Sequence, residues 1–143
     1  MAELPVKENY ILLASAARTT SGNSDILSVG KLGSVEKAML QLDVTAASTL
    51  VGDTCNVYIQ SSVDAGTNWD DFISFTQVLG NGGTLRHIVA WITGITPAAM
   101  HLNTDATLAA GTIRLGPVGA HWRVKWVIVG TGSFTFSVKC TAS

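Results

Sequence analysis

The sequence is short of charge. Of 143 residues, 9 are Lys or Arg and 10 are Asp or Glu, so 13% are charged and the net charge is −1. Globular chains carry about 25%. No run of like charge occurs, and nothing points to a strongly basic nucleic-acid binder. Long hydrophobic runs are missing as well. Apolar residues make up 47% of the chain, but no stretch approaches the roughly 18 consecutive apolar residues of a membrane span, so no membrane partner is expected. "YILLASAA" invites comparison with a leader. Glu3 and Glu8 stand where a leader needs basic residues, and the segment reads as mature protein. Cysteine is scarce: Cys55 and Cys140 lack Cys-x-x-Cys spacing, fall on apolar-facing strand positions, and read as buried reduced thiols rather than a disulfide or metal ligands.

With so little charge, the surface must be built from Ser, Thr, Gly, Ala and Asn. Such a surface suits a chain that works against other subunits.

What the sequence does have is alternation. In "AMLQLDVTA", Leu40, Leu42 and Val44 point one way; Met39, Gln41, Asp43 and Thr45 point the other. Cys55, Val57 and Ile59 share a face. In "LRHIVAWIT", His87, Val89 and Trp91 oppose Arg86, Ile88, Ala90 and Ile92, and apolar residues on both sides suggest cover on both sides. "HWRVKWVIV" sets Trp122, Val124, Trp126 and Ile128 against His121, Arg123 and Lys125. After "GTGS", "FTFSVKC" turns Phe134, Phe136, Val138 and Cys140 inward. These last two segments predict a β-hairpin with one buried face. "VEKAM" has little room for a helical turn between Gly33 and the strand that follows, "TPAAMHLNTDATLAAGT" is a long small-residue connection, and "TIRLGPVG" reads as a short strand ending at Gly116-Pro117. No amphipathic helix stands out. About eight strands joined by polar, Gly-rich turns predict an all-β fold, a single β-sandwich that is jelly-roll-like, with an immunoglobulin-like sandwich as the alternative. Residues 1–25 read as an N-terminal arm or first strand, and 26–143 as the sandwich.

Chemistry-bearing patterns are sparse. "SSVDAGTNWDD" at 61–71 holds Ser62, Asp64, Gly66 and Trp69 in the Ser-x-Asp-x-Gly-x-x-Trp spacing of the sialidase Asp-box. A single copy on a chain this short cannot make a propeller. The stretch reads as a hairpin loop in which Asp64 accepts backbone N–H bonds, Gly66 takes positive φ and Trp69 folds back. Calcium on Asp64, Asp70 and Asp71 lacks EF-hand-like spacing. His87, His101 and His121 are scattered, no Gly-x-Ser-x-Gly elbow occurs, and "GNGG" lacks the Lys of a phosphate loop. No enzyme and no cofactor are expected.

Several stretches together resemble a known group: "ASAARTTSGNSD", "LDVTAAS", "NVYIQSSVDAGTNWDDFISFTQV" and "ATLAAGTIRLGPVGAHWRVKWVIVGTGSFTFSV". They are similar to small virion proteins of tailed bacteriophages. In that group one strand carries V-x-I-Q-x-S-x-D-G-G-x-x-W, where this chain has Ala65 in place of a Gly, and a later strand reads R-V-x-W. The resemblance covers most of the chain. It implies a capsid decoration, or cement, protein: a β-sandwich on the outside of the shell, bound to the major capsid protein and to itself as a homotrimer or dimer, located in the virion. On this reading residues 2–25 make intersubunit contacts, and Arg86, Arg114, Arg123 and Lys125 are candidates for polar interface contacts; an exposed solubilising charge is the plain alternative for each. A tail or head–tail component and a carbohydrate-binding module using Tyr58 and Trp69 are the rival readings.

Overall fold

Alternation along the chain becomes inside and outside in the computed structural model, which describes residues 8–27, 37–92, 108–114 and 118–142. Ten strands follow in order: β1 (Glu8–Arg18), β2 (Gly22–Asn23), β3 (Lys37–Ala46), β4 (Thr54–Ser62), β5 (Asp70–Ser74), β6 (Val78–Leu79), β7 (Leu85–Ile92), β8 (Thr112–Ile113), β9 (His121–Val129) and β10 (Phe134–Ala142). No helix occurs among the described residues. The predictions for Val35 and Glu36, residues 96–107 with His101, and Gly116-Pro117 lie outside them.

The strands form two antiparallel sheets. One has four strands in the order β1-β10-β3-β7; the other runs β2-β9-β4-β5-β8, with β6 also paired to β4. With the two-residue strands β6 and β8 set aside, successive strands change sheet at every step except β4 to β5. The protein is therefore an all-β sandwich of the jelly-roll-like kind.

The period-two segments supply the core. Leu40, Leu42 and Val44 from β3, Val57 and Ile59 from β4, and Phe134, Phe136 and Val138 from β10 are each no more than 1% exposed. An aromatic cluster pins one sheet to the other. Phe72 on β5 lies 5.7 Å from Trp91 on β7 and 4.8 Å from Trp122 on β9, and the two indoles meet edge to face at 6.1 Å. Both indole N–H groups are satisfied by backbone carbonyls, Trp91 by Arg114 at 3.2 Å and Trp122 by Gly119 at 3.0 Å. A buried indole needs such a partner.

Two expectations fail. The C-terminal segments do not form a hairpin: β9 pairs with β2 and β4, while β10 pairs with β1 and β3 in the other sheet. Each strand has one strongly apolar face. With the chain crossing between the sheets, the inner faces cover each other, as in the edge-to-face contact of Trp126 with Phe136 at 6.1 Å. Likewise β7 is not covered on both sides. Trp91 is fully buried, but Ile88 and Ile92 on the outer face are each 51% exposed.

The crossing after β9 depends on Gly130, which has φ +106° and whose missing Cβ would sit 1.9 Å from Asp53 Oδ1. The Asp53 carboxylate is buried there, accepting from Ser48 Oγ at 2.7 Å and from the Gly132 N–H at 2.8 Å. Gly130→Ala must strain the backbone and displace this carboxylate. We expect it to lose at least about 1–3 kcal/mol of stability, read as a lower urea midpoint; an unchanged midpoint contradicts the account.

Candidate functional site

The Asp-box-like loop between β4 and β5 is a self-contained turn. Ser62 Oγ donates to Asp64 Oδ1 at 2.7 Å and accepts the Gly66 N–H at 2.9 Å; Asn68 donates its backbone N–H to Asp64 Oδ1 at 2.8 Å and its Nδ2 to Oδ2 at 2.7 Å. Gly66 has φ +95°, and the Trp69 indole N–H closes onto the Gly66 carbonyl at 3.1 Å. Hydrogen bonds from Asn68 and Ser62 hold the Asp64 carboxyl down at about 2. A carboxyl depressed in the fold stabilises it fully above the ordinary carboxylate range, and that contribution disappears as pH falls through the depressed value. An NMR carboxyl titration should therefore place the Asp64 midpoint near pH 2, and Ser62→Ala should move it upward. A midpoint in the normal range for both proteins contradicts the hydrogen-bond account.

Beside the loop runs a cross-strand row on β9, β4 and β5. Arg123 Nε donates to Gln60 Oε1 at 2.7 Å, and Gln60 Nε2 donates to Asp71 Oδ1 at 2.7 Å. Asp71 Oδ2 also accepts the Leu108 N–H at 3.3 Å. Gln60 and Asp71 are fully buried, and Arg123 lies 4.4 Å over the Trp69 ring. This row fixes the sheet and the loop to each other. It also covers Trp69, which is 6% exposed and so is not presented for stacking on a sugar.

Three of the four cationic candidates lie on the six-stranded sheet, and Arg86 lies apart on the other. Arg123 belongs to the row just described. Arg114 is half-buried and donates NH1 to the Asp71 carbonyl at 2.9 Å. Lys125 is half-buried on β9, opposite Asn23 and Tyr58. Arg86 is exposed on β7, across from Asp43. Of the predicted intersubunit segment, residues 8–18 form β1 along β10. Asp64, Asp70 and Asp71 do not converge, and no group of three or more His, Cys, Asp or Glu residues able to hold a metal occurs among the described residues. Cys55 and Cys140 are buried free thiols, pushed up to about 12 by burial.

The feature that does gather residues is the outer face of the four-stranded sheet. Cross-strand register sets Ile11, Lys139, Gln41 and Ile88 in one row and Asn9, Thr141, Met39 and Ala90 in the next. Ile11 is 66% exposed and Met39 54%. A shallow depression of about 680 Å³ runs across these rows, with Tyr10, Leu40 and Cys140 in its wall. The face is mixed, with Lys139, Gln41, Asn9 and Thr141 set among the exposed apolar side chains, a composition like that of protein contact surfaces in general.

No family model, no curated protein and no solved structure matches the chain.

Sequence reasoning missed Arg18. Its guanidinium donates to the carbonyls of Ala14 at 2.7 Å and Ala16 at 2.9 Å, where β1 breaks register, and to Phe136 at 2.8 Å. It also lies 4.9 Å over Trp126 and 4.6 Å over Phe136. A lone Arg at the end of an apolar strand carries no local signal for this, because both rings and one of the three carbonyls come from the distant C-terminal segment.

Proposed function

We propose that this chain is a capsid decoration protein of a tailed bacteriophage, a passive clamp that binds the major capsid protein lattice from outside and stabilises the mature head. The observation that carries the reading is the outer face of the four-stranded sheet, where Ile11, Met39, Ile88 and Ile92 are half or more exposed on a chain with only 13% charged residues. The sequence resemblance to small virion proteins supplies the partner, and the jelly-roll-like sandwich suits it. A subunit that binds the expanded lattice better than the unexpanded one shifts the balance towards the expanded form by mass action, and association into a homotrimer multiplies the contacts.

The test is cryo-electron microscopy of the source particle, supported by gold labelling with antibody to this protein. Density for the sandwich over junctions between major capsid subunits is the expected result. Label at the tail or the head–tail junction rejects this reading in favour of a tail component.

A further inference from the structure

Among the described residues the two sheets have four terminal strands, and three of them are guarded. An unpaired strand edge invites pairing with another chain, and proteins blunt such edges with bulges or by keeping them short. β2 and β8 have two residues each. β1 is long, but its register shifts between Ile11 and Leu13 and again between Leu13 and Ala16. β7 has neither guard. It has eight residues, no proline, and an unbroken register against β3 from Leu85 to Ile92. Among the described residues β3 is its only strand partner, so alternate backbone groups of β7 face outward from the sheet.

Alongside this edge lies a cavity of about 300 Å³, bounded by residues 87–90 of β7, by Ser74, Phe75 and Thr76, and by Gly111 and Ile113. Ser74 Oγ and His87 Nε2 are buried without a hydrogen-bond partner, and Ser74 as a whole is 2% exposed. Native proteins rarely leave such atoms unpaired, because each costs its full desolvation. Both belong to the wall of the same cavity.

We infer that β7 is a strand-acceptor edge: an extended segment of a different protein pairs with it and places a carboxamide side chain, Asn or Gln, in the cavity. Main-chain bonds to β7 supply affinity, and the cavity supplies selection. Among the described residues the cavity wall carries no Asp, Glu, Lys or Arg, which disfavours a charged guest. A carboxamide both donates and accepts, so it complements a hydroxyl and an imidazole once these buried groups turn towards the cavity. Pairing of β7 with β7 of a second copy does not supply the guest, since β7 itself contains no Asn or Gln. The inference stands apart from the decoration reading; any partner protein with such a strand satisfies it.

The probe is a positional library of extended octapeptides of alternating Val and Thr, with every residue type at each central position, screened against the full chain. Expected are at least about tenfold enrichment of Asn and Gln at one central position, amide shifts confined to residues 85–92 and the cavity wall, and loss of binding when alternate peptide nitrogens are methylated. Ser74→Ala should abolish the Asn/Gln preference while leaving the free protein as stable as before or more so, because it removes an unpaired hydroxyl. Selection of apolar residues, peptide shifts elsewhere, no binding by any pool with only long-lived water in the cavity, or self-association of the protein through β7 would each overturn the inference. None of these outcomes depends on where the protein sits in a particle.

Discussion

Replacing Trp122 by Ala is expected to cost about 3–5 kcal/mol, the range for deleting a large buried aromatic, against a total stability on the order of 5–15 kcal/mol for a domain. Trp122 is fully buried and touches Phe72 from its own sheet and Trp91 from the other. Its loss therefore removes one of the aromatic contacts that pin the sheets together and leaves the Gly119 carbonyl without the indole N–H that satisfies it. Trp122→Phe should cost less, because it keeps a ring in the cluster. Urea unfolding followed by far-ultraviolet circular dichroism measures both. A loss below about 1 kcal/mol for the Ala variant would place the core elsewhere.

The second large effect is expected on attachment rather than folding. Met39→Glu combined with Ile88→Glu puts two carboxylates into the exposed apolar face of the four-stranded sheet. In the free protein both side chains are more than half exposed, so stability should change by no more than about 0.5 kcal/mol per site. If this face seats on the capsid lattice, desolvating the new charges should weaken binding at least about a hundredfold, some 2.8 kcal/mol at 1.4 kcal/mol per tenfold. Co-sedimentation of the variant with stripped particles reads this directly. Full binding by a folded double variant would move the contact surface to another face, and loss of binding with unchanged melting would support the face named here. Arg123→Ala is a useful contrast. Its guanidinium holds Gln60 and covers Trp69, so its effect should appear first in stability.

Much of this architecture was legible as period two. The faces of β3 and β4 read off the sequence are the faces the structure buries, and the turn chemistry of Ser62, Asp64, Gly66 and Trp69 is the chemistry that forms. These are local signals: a strand face needs only alternation, and a turn needs only residues within a few positions of one another. What could not be read is pairing. β9 and β10 looked like a hairpin because a short Gly-containing link between two amphipathic strands usually makes one, and no local pattern distinguishes a link within a sheet from a link between sheets. Arg18 depends on Phe136, and Gln60 on Arg123. Such contacts are decided by the assembled sheets. The cationic candidates show the same limit. Alternation placed Arg123 outward, but outward of the sheet is not outward of the molecule when a loop lies over it.

The placement of β10 bears on how the chain comes to fold during its synthesis. The tenth strand in chain order is not at the margin of its sheet but between β1 and β3, so the first and third strands have no direct partner in each other. Until the ribosome has released Phe134–Ala142, the four-stranded sheet lacks the strand that joins its two sides, and the apolar faces of β1 and β3 wait uncovered. Completion of this sheet thus waits for β10, and nascent chains stalled before that strand are expected to aggregate more readily than chains stalled after it.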